Sequence, residues 1–293
     1  MTTELKNNSF SAQIDSLGAQ LVSLKDRTEK EYIWQRDSAY WQYSSPLLFP
    51  GVGNCRDGRT IIEGKEYELS KHGFCKITDF SIEKRSDSSA VLTICDSPDT
   101  RRVYPYAFRL SVTYTLTEKG ITIDYRVKNM DSRPIYFQIG AHPGFNCPLN
   151  PGEAFEDYVL EFDKEETAAS LVYDSTKLQF DLSRRKLLLA GSRILPLGYD
   201  LFLEDAVFFP SIRSRLVKLV NPNTGKGIQV DFKDFESIAF WTSMPTKGPF
   251  LCIEPRNGTA ICSDEDNEFK NRRFIQRAGI GEEKKYHLEI SVL

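Results

Sequence analysis

Little in this sequence repeats with a helical period, and little of it is cationic, cysteine-paired or continuously apolar. No stretch approaches the roughly 18 apolar residues that a membrane span needs, and the opening Met1-Thr2-Thr3-Glu4-Leu5-Lys6-Asn7 lacks the apolar core of a secretory signal. A cytoplasmic protein with no membrane partner is therefore expected. No Lys/Arg block is long enough to track a phosphate backbone, and a net charge of -3 with a pI near 5.8 argues against nucleic acid as a partner. The six cysteines (Cys55, Cys75, Cys95, Cys147, Cys252, Cys262) include no C-x-x-C pair and have no histidine at zinc-finger spacing. Free thiols in a reducing compartment are the expectation. A G-x-S-x-G elbow is also missing, so no serine nucleophile is indicated. With only three histidines, His72, His142 and His287, the setting of each one matters.

What the chain has in quantity is strand signal. Runs of period-two alternation, or of β-branched and aromatic residues, recur from end to end. They predict strands over 10–14, 20–24, 61–69 (a hairpin about Gly64), 80–84, 91–95, 107–116, 121–127 and 135–139, and later over 158–162, 186–189, 206–209, 216–219, 227–232, 237–242, 250–254 and 286–292. The segments 107–116 and 121–127 form the clearest hairpin, with Glu118-Lys119-Gly120 as the turn. Short helical turns are expected at 37–41 and 264–269, neither long enough to form a layer. Residues 167–196 are mixed and charged, and are the poorest fit to this pattern. With no linker or repeat, the expectation is one all-β domain over 1–293, a large antiparallel β-sandwich.

Four polar islands interrupt the strands. In Gln138-Ile139-Gly140-Ala141-His142-Pro143-Gly144-Phe145-Asn146, Pro143 ends regular pairing and Gly144 permits a turn, leaving His142 at a strand end, where an imidazole can serve as acid or base near neutral pH. In Phe250-Leu251-Cys252-Ile253-Glu254-Pro255, a carboxylate likewise ends an apolar strand before a proline. Glu254 is then either a base or half of a buried ion pair with Arg256 or Arg56. Phe49-Pro50-Gly51-Val52-Gly53-Asn54-Cys55-Arg56-Asp57-Gly58 offers close backbone approach and the guanidinium of Arg56, or else a glycine-rich hairpin loop with a surface arginine. Leu69-Ser70-Lys71-His72-Gly73-Phe74 places His72 in a turn. Trp241 ends the run Ile238-Ala239-Phe240-Trp241, as core or as an aromatic platform for a sugar ring. A metal site has no ligand spacing behind it.

Together, Asn54-Cys55-Arg56-Asp57-Gly58, Lys71-His72-Gly73-Phe74, Ala141-His142-Pro143-Gly144-Phe145-Asn146 and Cys252-Ile253-Glu254-Pro255 resemble the aldose 1-epimerase (mutarotase) family. They are most similar to its LacX-like branch. The resemblance runs in order from about Phe10 to Val292, and the His-Pro-x-Phe-Asn element is its most specific part. It implies the galactose mutarotase-like fold, often called a supersandwich, and interconversion of the α and β anomers of an aldose with neither cofactor nor metal. By this resemblance His142 would protonate the ring oxygen and Glu254 would take the proton of the C1 hydroxyl. Arg56 and His72 would hold sugar hydroxyls, and Asp205, or alternatively Asp200, would bind hydroxyls across the ring.

Two departures stand out against the better-known galactose mutarotases, which commonly carry an aromatic residue where this chain has Gly144 and a glycine where it has Phe74. A related branch acts on hexose 6-phosphates through clustered arginines, for which Arg56 and Arg59 are candidates here. The expected partner is a small sugar. The competing readings are a non-catalytic carbohydrate-binding or sensing protein, a hexose-6-phosphate 1-epimerase, and a lyase or hydrolase on a sandwich scaffold, the last lacking a second acidic motif.

Overall fold

A computed structural model describes residues 1–293, the side chain of Lys84 excepted. Strands dominate, and their named pairings are antiparallel. A 15-stranded sheet forms the body, a 3-stranded sheet of Thr2–Lys6, Phe10–Asp15 and Gln20–Asp26 packs beside it, and two 2-stranded ribbons complete the set. The hairpin of Phe108–Leu116 and Gly120–Asn129 follows the sequence expectation closely, with Ile121 opposite Leu116 and strict alternation of buried and half-buried residues along its first strand. Burial on one face only is what fixes such a register, because a slip of one residue would turn every apolar side chain to water.

The hydrophobic cluster filling the body runs from Leu5 to Ile290, with Phe49 fully buried and in ring contact with the equally buried Tyr104, Phe108 and Phe137. Helical content is slight: the four-residue helix Pro98–Arg101, capped by Ser97, and a few single turns. No helix is long and apolar enough to cross a membrane. All six cysteines are free thiols, and only Cys95 is exposed.

Two sequence expectations are corrected. Residues 167–196 belong to a long hairpin, Val159–Asp174 with Gln179–Pro196, rather than containing the single short strand 186–189. Register shifts between Glu161 and Glu166 and again between Leu171 and Val172 break the period-two pattern that would have revealed it. The strand carrying Glu254 does not end there either: it runs Phe250–Asn257, with Pro255 paired opposite Ile238. A proline is tolerated because its missing donor lies on the same side as the Ile253 N–H, which reaches the carbonyl of Pro143 at 3.1 Å, where the neighbouring strand is interrupted.

Candidate active site

His142 and Pro143 form the interruption. The strands Ile139–Ala141 and Gly144–Asn146 flank them, and both pair with Phe250–Asn257. Gly140 faces Arg256 and Gly144 faces Cys252, so the shared register carries His142 directly opposite Glu254. On the far side of the same strand, Ala239 faces Glu254 and Trp241 faces Cys252. Alternation then sets His142, Glu254, Arg256 and Trp241 on one face. These four side chains form the floor of a cavity of about 310 Å³, a size suited to a small ligand.

Loops and strand ends supply the walls. Lys71, His72 and Lys76 line one part, Trp41 and Tyr43 another, and Asp205, Tyr173 and Phe180 a third. Gly53 belongs to the lining as well, and only glycine fits there, since a Cβ would come within 2.4 Å of Ala260. Its N–H donates to Nδ1 of His72 at 3.1 Å, which leaves the ring proton of the neutral imidazole on Nε2. His72 (φ 68°) and Asp205 (φ 72°) both hold the left-handed backbone region, at a cost of about 1 kcal/mol or more each. Conformations of this kind persist where the surroundings impose them, and they cluster at ligand sites.

Electrostatics separate the groups by role. Nε2 of His142 lies 3.1 Å from Oε2 of Glu254, with the two side chains 9% and 1% exposed. The guanidinium of Arg256 holds the same carboxylate oxygen. Burial pushes His142 down to about 4, with Glu254 opposing that shift and Arg256 adding to it. The imidazole is therefore neutral near pH 7, with Nε2 facing the Glu254 carboxylate. Nδ1 of His142 and Oε1 of Glu254 have no hydrogen-bond partner in another residue. Desolvation also holds His72 well below its ordinary value, reinforced by His142 and Arg256. Asp205 is raised by burial, against the pull of Lys71. Buried polar atoms left unsatisfied on a paired imidazole and carboxylate suit a polar ligand able to give and accept hydrogen bonds.

The structure thus gathers His142, Glu254, His72, Asp205 and Trp241 around one cavity. Asp200 is exposed and away from the lining. Arg56 is not brought there: its guanidinium donates to Oε1 of Gln179 at 2.9 Å and to the carbonyl oxygens of Glu265 at 3.0 Å and Cys262 at 3.4 Å, clasping the end of the long hairpin. Arg59 is half exposed and paired with Glu66 and Glu68. The guanidinium in the cavity is that of Arg256, which sequence reasoning weighed only as a counterion. Its signal was present, since residues 254 and 256 of one strand share a face. Trp41, Tyr43 and Tyr173 carried no such signal, because loops and a bulged hairpin deliver them.

Gly144 also differs from the expectation. It lies within a strand rather than a turn, and a Cβ there would meet Cζ3 of Trp41 at 3.0 Å. The aromatic bulk that related enzymes were expected to place at this position is supplied here by Trp41, stacked on His142 with ring centroids 4.9 Å apart.

Comparison with known proteins identifies relatives over the whole chain. The family profile described as Aldose 1-epimerase matches residues 1–277. The plasmid-encoded Protein LacX of Lactococcus lactis subsp. lactis is 35% identical over the full length of both chains. Among solved structures, the galactose mutarotase related enzyme of Lactobacillus acidophilus superposes with a TM-score of 0.95 at 28% identity, covering 100% of this chain and 97% of that one. A galactose mutarotase-like protein of Lactobacillus casei ATCC 334 gives 0.93 at 27% identity, covering all of both chains.

Proposed function

The chain belongs to the aldose 1-epimerase family, and on that footing we propose that it interconverts the α and β anomers of a hexose by opening and reclosing the hemiacetal ring. The observation that carries this reading is the cross-strand pair of His142 and Glu254, an imidazole and a carboxylate 3.1 Å apart on the floor of a sugar-sized cavity. Ring opening needs a proton on the ring oxygen while the C1 hydroxyl loses one. Glu254 takes the hydroxyl proton and His142 gives one to the ring oxygen. Rotation about the C1–C2 bond then presents the other face of the aldehyde, and the transfers reverse. Each positioned transfer contributes roughly 10² to 10⁴-fold.

Because burial favours the neutral form of His142 and the proposed acid must carry a proton to give, the productive complex carries one proton more than the neutral pair. The count is the same whether that proton is drawn on the imidazole or on the carboxylate. Sugar binding is therefore expected to take up a proton, which calorimetry in buffers of different ionisation enthalpy measures. Arg256 holds Glu254 in place, and His72 offers its Nε2–H to a hydroxyl. Asp205 accepts or donates across the ring, and Trp241 provides an apolar face. This reading of Asp205 is preferred to Asp200 on the lining alone. Arg56 acts at a distance, by fixing the hairpin that brings Tyr173 and Phe180 to the cavity.

The test is magnetisation-exchange NMR on pure anomers of common hexoses. No acceleration across the panel, together with tight binding, would favour the sensor reading instead. A second substrate reading has one observation behind it. Lys71 and Lys76 both line the cavity, and Lys76 is pushed below the ordinary lysine value by burial and by Lys71. Two neighbouring cations of this kind favour a phosphorylated hexose, even though Arg56 and Arg59 are turned elsewhere. Lys71→Met should then weaken the hexose 6-phosphate about 10-fold, equivalent to ~1.4 kcal/mol, and leave the free hexose unaffected.

A further inference from the structure

The imidazole of His142 poses a positioning problem. Its Nε2 is held by Glu254, but its Nδ1 has no partner in another residue, whereas a working histidine is ordinarily oriented through its second nitrogen. When a sugar oxygen takes the place of Glu254 at Nε2, no hydrogen bond to another residue fixes the plane of the ring.

Aromatic stacking can do so. Trp34 stacks on Phe250 (4.7 Å, 28°), Phe250 on Trp41 (5.6 Å, 15°), and Trp41 on His142 (4.9 Å, 27°). The column rests on a hydrophobic cluster of Trp34, Phe250 and Cys252, separate from the main core. Its last member is fixed by its own backbone: Nε1 of Trp34 donates to the Trp41 carbonyl at 2.8 Å, and the Trp41 N–H donates to the carbonyl of Asp37 at 2.9 Å. Gly144, two residues from His142 on the same face, leaves the space that the indole occupies. Edge-on contacts from His72 (5.7 Å, 88°) and Trp241 (6.1 Å, 78°) complete the enclosure.

We propose that Trp41 is the positioning residue for His142, holding the imidazole plane through ring stacking in place of a hydrogen bond at Nδ1. The indole face also favours the imidazolium form that arises during turnover. Trp41 touches the acid and not the reacting atoms, so its loss should lower turnover rather than affinity. Small misplacements of a catalytic group can cost up to about 10²-fold.

The kinetic arm rests on the epimerase reading; a second arm does not. In Trp41→Leu, kcat for anomer exchange should fall about 10-fold or more while KM stays within about threefold, and Trp41→Phe should restore most of the rate. Long-range proton–nitrogen NMR of the His142 ring should show the single Nε2–H tautomer in the parent protein and a mixture in Trp41→Leu. Gly144→Ala, which crowds the indole without touching His142, should give a weaker version of both effects and carries the test if Trp41→Leu does not fold. A rise in KM alone would make Trp41 only a wall for the sugar and overturn the proposal, as would an unchanged tautomer pattern. If the parent protein fails to exchange anomers, the epimerase reading falls while the NMR arm still decides the role of the stack.

Discussion

Two histidine–carboxylate pairs lie on the same 15-stranded sheet, each as a directly opposed cross-strand pair. His287 faces Asp124 with Nδ1 2.7 Å from Oδ1, the side chains being 25% and 42% exposed. His142 faces Glu254 at 3.1 Å, with side chains 9% and 1% exposed. The chemistry is the same and the solvent is not. On the outer pair, water screens the attraction and the contact is worth about 0–1 kcal/mol. In the inner pair, desolvation drives the imidazole down to about 4, and Arg256 must supply the compensation that water gives at the surface. Geometry alone therefore does not set the two pairs apart; the dielectric and the unsatisfied atoms around them do.

The largest difference should appear in catalysis. His142→Asn or Glu254→Gln should slow anomer exchange by about 10² to 10⁴-fold while sugar binding persists, and His287→Asn should leave the rate unchanged, as followed by polarimetry. A substantial loss in His287→Asn would erase the contrast. Stability should divide in the same way. Arg256→Met strands a buried carboxylate and should cost about 3–5 kcal/mol in urea unfolding, whereas Arg59→Met removes a half-exposed pair worth about 0–1 kcal/mol.

A pH titration sharpens the comparison further. The folded-state value of His142 lies below that of the unfolded chain, so the unfolded state binds the extra proton between about pH 4 and 6.5. Stability should therefore rise with pH across that window by up to about 3 kcal/mol from this group. His72 acts in the same sense, and Asp205, whose value is raised, opposes it at the acid end. His142→Asn should flatten the slope. An effect between those of Arg256→Met and Arg59→Met is expected at Arg56→Met, which unfastens the hairpin end from Gln179, Cys262 and Glu265. A loss of about 2 kcal/mol should accompany faster proteolytic nicking near residues 174–179.

Where the strands alternate cleanly, the fold could be read directly. The hairpin of Phe108–Leu116 with Gly120–Asn129 appears in the structure with bounds within two residues of expectation, because burial on one face writes its register into the sequence. The hairpin Val159–Asp174 with Gln179–Pro196 could not be read, since its register shifts and its mostly half-buried or exposed second strand remove that record. For the cavity, the proline-marked islands located His142 and Glu254, but Pro143 and Pro255 mark an interruption and a pleat of continuing strands rather than two strand ends. Arg56 and Arg256 show the other failure. Both are single arginines beside polar motifs, and no local pattern tells which one reaches the floor.

Residue types and their alternation determined by themselves an antiparallel all-β chain and a short set of residues able to move protons, while four motifs in order carried the resemblance to the family. Tertiary structure alone decided that His142 stands opposite Glu254, that Arg256 rather than Arg56 lines the cavity beside that pair, and that Trp41 fills the space left by Gly144. The physical reason lies in the reach of each signal. Burial periodicity is local and survives in the order of residues, while cross-strand partnership, desolvation and ring stacking join positions up to about a hundred residues apart and exist only once the sheet has closed around them.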